Sequence, residues 1–156
     1  RVWGYTASEH YVVLHDSATQ RVLLFTTDGK YLNDIGSRGQ GPGEYSFVDC
    51  WTMKISPDEK HILLRLAWYS GIFNMYNIDG SFIKKCIIPP VRGREFGYFG
   101  TDNFVSIKQS SDLSKTGGNK LLIFDKEINL TDSLMLSYDD ANMVTGKGFL
   151  NNVYIN

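Results

Sequence analysis

The feature that most constrains this chain is a hairpin that recurs along it. Arg21 to Thr26 is rich in strand-forming residues, Thr27-Asp28-Gly29-Lys30 is an Asp-Gly turn, and Tyr31 to Ile35 completes the pair. Asp-Gly between two apolar runs favours a tight hairpin, because Gly accepts the positive φ that the reversal needs. Gly71 to Tyr76, Asn77-Ile78-Asp79-Gly80-Ser81 and Phe82 to Ile88 repeat the arrangement, with Gly80 51 residues after Gly29. A third, weaker copy follows in Lys120 to Asp125, Lys126 to Asn129 and Leu130 to Ser137. Phe25, Tyr76 and Phe124 hold matching places before the three turns.

The segments ahead of each hairpin also match. Tyr11 to His15, His61 to Arg65 and Phe104 to Lys108 read as strands, each after a short polar turn. Each of those turns follows another strand candidate: Arg1 to Thr6, Val48 to Ile55 and Phe96 to Phe99. The repeating unit is therefore four strands in about 40–50 residues, the size of a propeller blade. No stretch shows a sustained helical period. Val12-Val13-Leu14, Val22 to Phe25 and Ile62-Leu63-Leu64 are apolar at successive positions, as strands covered on both faces are. The expected fold is all-β, a β-propeller of four-stranded antiparallel blades, with about three blades, half of a six-bladed ring. A β-sandwich is the alternative, and the fixed period disfavours it.

The blades are expected at about 1–36, 45–89 and 95–137, in a single partial propeller domain spanning 1–156. Phe149 to Ile155 would begin a further blade. Three blades cannot close a ring, and open terminal blades would leave apolar surface wet. Two arrangements answer this: a longer propeller of which this is a part, which is the favoured expectation, or a homodimer of two half-rings.

Composition is that of a globular chain, 42% hydrophobic and 21% charged, with a formal net charge of −1. That balance gives no electrostatic reason to expect a nucleic acid or an anionic membrane as partner. No apolar run approaches the ~20 residues of a transmembrane helix. No signal sequence is legible; the chain opens at Arg1 in strand-like sequence, which reads as a processed or trimmed end. Two cysteines, Cys50 and Cys86, fall on the first and fourth strands of one blade, too far apart to bond directly, so buried thiols are expected.

One segment resembles a known family. Phe25-x-x-Asp28-Gly29-Lys30-Tyr31-Leu32 leads into Ile35-Gly36-x-x-Gly39-Gln40-Gly41-Pro42-Gly43-Glu44-Tyr45. The pattern resembles the six-bladed β-propeller lipoproteins of gut bacteria, related to NHL-type and TolB-like propellers. It is good over 10–90 and thin after about 95. It implies a fold and export to the periplasm or cell surface. It supplies no catalytic residues.

The glycines of that segment invite comparison with a phosphate-binding loop. Pro42 removes one donor, no Lys-Ser/Thr follows and no helix begins there, so a blade-to-blade crossing is the better reading. Topology gives a stronger pointer. When four strands alternate in direction, the crossings between blades and the loops between second and third strands share one end. By analogy with other propellers, that end is where ligands bind. It would carry Arg38, Gln40, Glu44 and Tyr45 from the first crossing, and Arg92, Arg94 and Glu95 from the second. Asp139 and Asp140 would come from the third, and Asp16, Trp68 and Tyr69 from the second-to-third-strand loops. Arg, Trp and Tyr at converging loops are common contact residues. The plainer reading is that these loops only join blades.

His10, His15 and His61 fall at different ends of the blades and suggest surface or capping roles, with no shared metal site. Asp139-Asp140 could ligate Ca²⁺ but suits a solvated loop better. No nucleophile–base motif is present. The expected function is non-catalytic: a binding or scaffold propeller of an exported protein, presenting its loops to a protein, peptide or glycan, with no cofactor. The alternative is a metal-assisted lyase or hydrolase with its site in the central channel.

Overall fold

The computed structural model describes residues 1–67, 70–88, 96–100, 103–108, 120–126 and 128–135. Among these, each repeat forms one four-stranded antiparallel sheet whose strands lie side by side in chain order. The first comprises β1 (Val2–Ala7), β2 (Tyr11–Asp16), β3 (Arg21–Thr26) and β4 (Tyr31–Asp34). A two-stranded parallel pair follows, β5 (Ser37–Arg38) with β6 (Glu44–Tyr45). The second sheet holds β7 (Lys54–Ile55), β8 (His61–Arg65), β9 (Ile72–Asn77) and β10 (Phe82–Ile87). The third holds β11 (Phe96–Phe99), β12 (Asn103–Lys108), β13 (Lys120–Phe124) and β14 (Leu130–Met135). The chain divides into two units, Arg1–Ile87 with the first two sheets and Ile88–Asn156 with the third. Phe149 to Ile155 lies outside the described residues.

The hairpin turns show why the repeat reads as it does. Gly29 donates its N–H to the Thr26 carbonyl, and Gly80 donates to Asn77, at 3.0 and 2.9 Å. Both glycines take a positive φ, 91° and 85°, which a side chain would resist. The third copy keeps the turn without glycine. Ile128 donates to the Asp125 carbonyl at 2.9 Å with a φ of 65°. A β-branched residue in that conformation costs about 1–2 kcal/mol. Its side chain is buried, and Asn129 ties the turn with bonds to both Asp125 carboxylate oxygens.

One element differs from the sequence expectation. The first strand of the second sheet was expected over Val48 to Ile55, but only Lys54–Ile55 is strand. Asp49 still pairs by its N–H with the Arg65 carbonyl, 2.9 Å. Its own carbonyl then accepts both the N–H and the hydroxyl of Thr52, which folds 49–52 into a turn. A side chain that bonds its local backbone competes with the sheet ladder, and here it wins. Cys50 sits in this turn and Cys86 on β10; both are buried, and neither is in a disulfide.

The core of the first unit lies between its two sheets. Val13, Val22, Leu24 and Ile35 meet Val48, Met53, Ile55, Ile62, Leu64 and Tyr76. Each such side chain contributes about 1.5–3 kcal/mol on leaving water. Two-sided burial holds for the middle of the second sheet, where Ile62 to Arg65 and Phe73 to Tyr76 are all buried. In the first sheet burial alternates instead: Val13, Val22 and Leu24 are buried, while Val12, Leu14 and Leu23 are partly covered.

Candidate functional site

Two structures meet at the crossing from the first sheet to the second. The outer one is the glycine-rich segment. Two of its glycine N–H groups are spent internally: Gly39 donates to the Tyr45 carbonyl at 3.0 Å, and Gly41 donates to the Glu44 carboxylate at 2.7 Å. The place a phosphate oxygen would take is therefore filled by the chain's own carboxylate. Gly43 has a φ of 73°, and a Cβ there would lie 2.6 Å from Phe82 Cβ. Its carbonyl accepts the Tyr76 hydroxyl at 3.0 Å, while Asn74 Nδ2 donates to the Glu44 carbonyl at 3.2 Å. The Tyr45 hydroxyl accepts the Val22 N–H at 3.1 Å. Burial pushes the Tyr76 phenol up to about 12, against the opposing pull of its bond from Asn74, and burial also raises Tyr45. Both phenols stay protonated and act as fixed rivets.

The inner structure is formed by the start of β1 and by the 49–52 turn that leads into β7. Trp3-Gly4-Tyr5-Thr6-Ala7-Ser8 and Trp51-Thr52-Met53-Lys54-Ile55-Ser56 correspond in the two repeats, aligned by Ala7, which opposes Val12 as Ile55 opposes Ile62. β1 and that turn come close at Gly4, where a Cβ would lie 2.7 Å from the Cys50 carbonyl oxygen. Trp3 and Trp51 are 46% and 56% exposed. Behind Trp51 lies a buried ion pair, Arg65 Nη1 to Asp49 Oδ2 at 3.9 Å. Arg65 Nε also donates to the Ser70 carbonyl at 2.7 Å, and its guanidinium lies 5.9 Å from the Phe73 ring centre. Asp49 Oδ1 accepts the Trp51 N–H at 3.3 Å. One buried pair thus ties the Trp51 backbone and the Ser70 carbonyl together.

The histidines divide between the ends. His10, exposed in the β1–β2 turn, donates its N–H to Glu59 Oε1 at 2.9 Å and places Nδ1 2.7 Å from Oε2. The bond from Glu59, and then its charge, raises the His10 pKa. Burial works to raise Glu59, but bonds from Ser8 and His10 outweigh it and hold the carboxyl at about 2. His15 is 1% exposed, with no hydrogen-bond partner for either ring nitrogen among the described residues, and burial lowers its pKa. His61 begins β8. On β7, burial lowers the Lys54 ammonium too. No group of three or more metal-ligating side chains occurs among the described residues.

Of the residues singled out from sequence, Arg38 and Gln40 are exposed on the crossing. Glu44 and Tyr45 share that segment but are turned to its internal bonds. Asp16 holds its own loop, accepting from Ala18 and Thr19. Trp68, Tyr69, Arg92, Arg94, Glu95, Asp139 and Asp140 lie outside the described residues. Sequence reasoning passed over Trp3, Trp51 and the Asp49–Arg65 pair. The signal was present as Trp-x-x-x-x-Ser in both first strands.

The family model described as a 6-bladed beta-propeller matches residues 6–151. The chain belongs to that six-bladed β-propeller family. Solved structures agree on the fold of the propeller. A candidate exported protein of Bacteroides fragilis superposes with a TM-score of 0.62 at 20% identity, over 85% of this chain and 36% of that one. The C-terminal WD40 domain of Sif2 gives 0.58 at 16%, over 88% and 35%. A eukaryotic initiation factor gives 0.58 at 8%, over 87% and 32%. At these identities the likeness is one of fold, and the chain spans about a third of each of these structures. No curated protein matches the chain.

Proposed function

We propose that this propeller is a non-catalytic binding module of an exported bacterial protein, and that it presents the end carrying its crossings to a protein, peptide or glycan. The carrying observation is the pair of exposed indoles, Trp3 on β1 and Trp51 in the turn ahead of β7, at matching places in two successive repeats. A large aromatic left about half exposed keeps in water apolar surface that a core position would bury. The Trp51 backbone is tied to a buried ion pair, and exposed aromatics on a fixed backbone are the side chains that supply much of an interface's energy. Arg38 and Gln40 would add polar contacts, with Glu44 and Tyr45 fixing their loop. Trp68 and Tyr69, and Arg92, Arg94 and Glu95, belong to the same proposal from their loop positions in the sequence. Export rests on the sequence resemblance and on the Bacteroides fragilis relative. Lipid anchoring and NHL-type kinship rest on the resemblance alone. No helix among the described residues is long and apolar enough to cross a membrane.

The test is a screen of peptide and glycan arrays with the full chain, followed by titration of each hit against Trp3→Ala and Trp51→Ala. Each variant should weaken binding at least about tenfold, the loss expected when an anchoring aromatic is removed. Hits that bind both variants as tightly as the parent chain would move the site elsewhere.

A further inference from the structure

His15 is the one described imidazole that is fully buried, and neither of its ring nitrogens has a partner among the described residues. On β2 it opposes Gly4 of β1 and Val22 of β3. Directly opposed residues point to the same face of a sheet. Cys50 occupies the place where Gly4 would carry a Cβ, at 2.9 Å from Cys50 Cβ, so the His15 ring enters the layer between the two sheets beside that residue. Val22 is fully buried and Cys50 nearly so. A neutral imidazole in such a layer leaves a donor and an acceptor unmet. An imidazolium leaves two donors and a charge, which is far more costly.

The charges around it do little to offset that cost. Asp16, next along β2, is the carboxylate that acts on the ring, and burial outweighs it. That carboxylate is already engaged by Thr19, Ala18 and the amino group of Arg1. On β3, Arg21 is held bidentately by Asp34, 2.7 Å at each contact. On the second sheet, alternation turns Arg65 away from the Ile62–Leu64 face, and Arg65 pairs with Asp49. The Cys50 thiol and the Tyr45 and Tyr76 phenols are the further titratable groups of the core between the sheets, and burial keeps both phenols neutral. Trp3 stands at the margin, its ring centre 6.5 Å from that of His15. It belongs to β1, the edge strand of its sheet, where Val2 and Tyr5 are also exposed.

We propose that His15 is a proton-operated support for Trp3: the neutral ring fills the layer beneath the first strand, and its protonation drives it toward water and releases the start of β1. The yielding element is β1, since it is paired on one side only among the described strands and four of its six residues are exposed. The inference deepens the binding assignment by giving the Trp3 half of that end a pH dependence. The event itself is confined to this chain's own residues and needs no ligand.

The experiment is a pH titration of the full chain from 8 to 4 with two direct readouts. Ring NMR resonances follow each histidine, assigned with His10→Gln and His61→Gln. Fluorescence follows Trp3 in a chain carrying Trp51→Phe and Trp68→Phe. The expected result is a His15 midpoint below 6.5, the ordinary histidine value, with a red shift of Trp3 emission at the same midpoint and strand circular dichroism retained. His15→Gln should abolish the emission step; if that variant does not fold, the NMR and fluorescence midpoints of the unaltered histidine decide. The proposal is overturned by a His15 midpoint at or above 6.5, by Trp3 emission that is flat through the His15 midpoint, or by loss of strand signal at that midpoint. Because no ligand is present, each of these outcomes leaves the binding assignment to be judged on its own titrations.

Discussion

The outer and inner margins of the junction between the first two sheets obey different rules. At the outer margin, Gly36 to Tyr45 satisfies itself: Glu44 closes on Gly41, Tyr45 on Val22, and Tyr76 on Gly43. At the inner margin a histidine is buried with no partner among the described residues, an ion pair is buried at 3.9 Å, and two indoles are about half exposed. The glycine-rich segment of the crossing is thus architecture. The inner margin breaks the rules by which a sequence consolidates a fold, and such places are where function is to be sought.

The sharpest way to break the contrast is to remove the brace of the inner margin. Arg65→Met should cost about 3–5 kcal/mol, because Asp49 is left buried without its cation. Urea denaturation reads this, and adding Asp49→Asn should recover a good part of the loss. A smaller effect follows from crowding the strand contact. Gly4→Val places a side chain against the Cys50 backbone, which cannot swing aside, and should cost up to about 3 kcal/mol. An unchanged midpoint for Gly4→Val would mean that the inner strands are less tightly apposed than described. At the outer margin, Tyr45→Phe orphans the buried Val22 N–H and should cost about 1–2 kcal/mol while sparing any ligand found for Trp3 and Trp51. A loss of binding in Tyr45→Phe equal to that in Trp3→Ala would erase the distinction between the margins.

The smallest effect is in pH dependence, where two histidines of one sheet should act with opposite sign. His10 has a raised pKa, so its contribution is complete below 6.5 and fades as pH rises through its folded value. Its partner Glu59, lowered to about 2, contributes fully above 4.5 and less as pH falls toward 2. Their link is strongest between those ordinary values. His15 has a lowered pKa, so stability falls as pH drops below 6.5 and the unfolded chain takes up the proton first. Stability measured from pH 8 to 5 in His10→Gln should therefore fall more steeply toward acid than in the parent chain. A shallower fall would reverse the assignment of the two rings.

The sequence alone determined the repeat, the four-strand order within each unit and the all-β class. Those follow from local rules: period, turn chemistry and the need of an Asp-Gly turn for a left-handed residue at Gly29 and Gly80. It also named Arg38, Gln40, Glu44 and Tyr45 as one segment, because they are contiguous. Tertiary structure decided what each of them faces, since Tyr45 becomes a rivet only when Val22 arrives from another strand. It also decided that 49–52 is a turn, where side-chain bonds outcompete a ladder that β-propensity favoured. The inner margin was legible in residue types but not in meaning. Trp3 and Trp51 lie 48 positions apart in the chain. They become neighbours in role only because β1 packs at Gly4 against Cys50 of the 49–52 turn, and that close approach is a property of the assembled sheets.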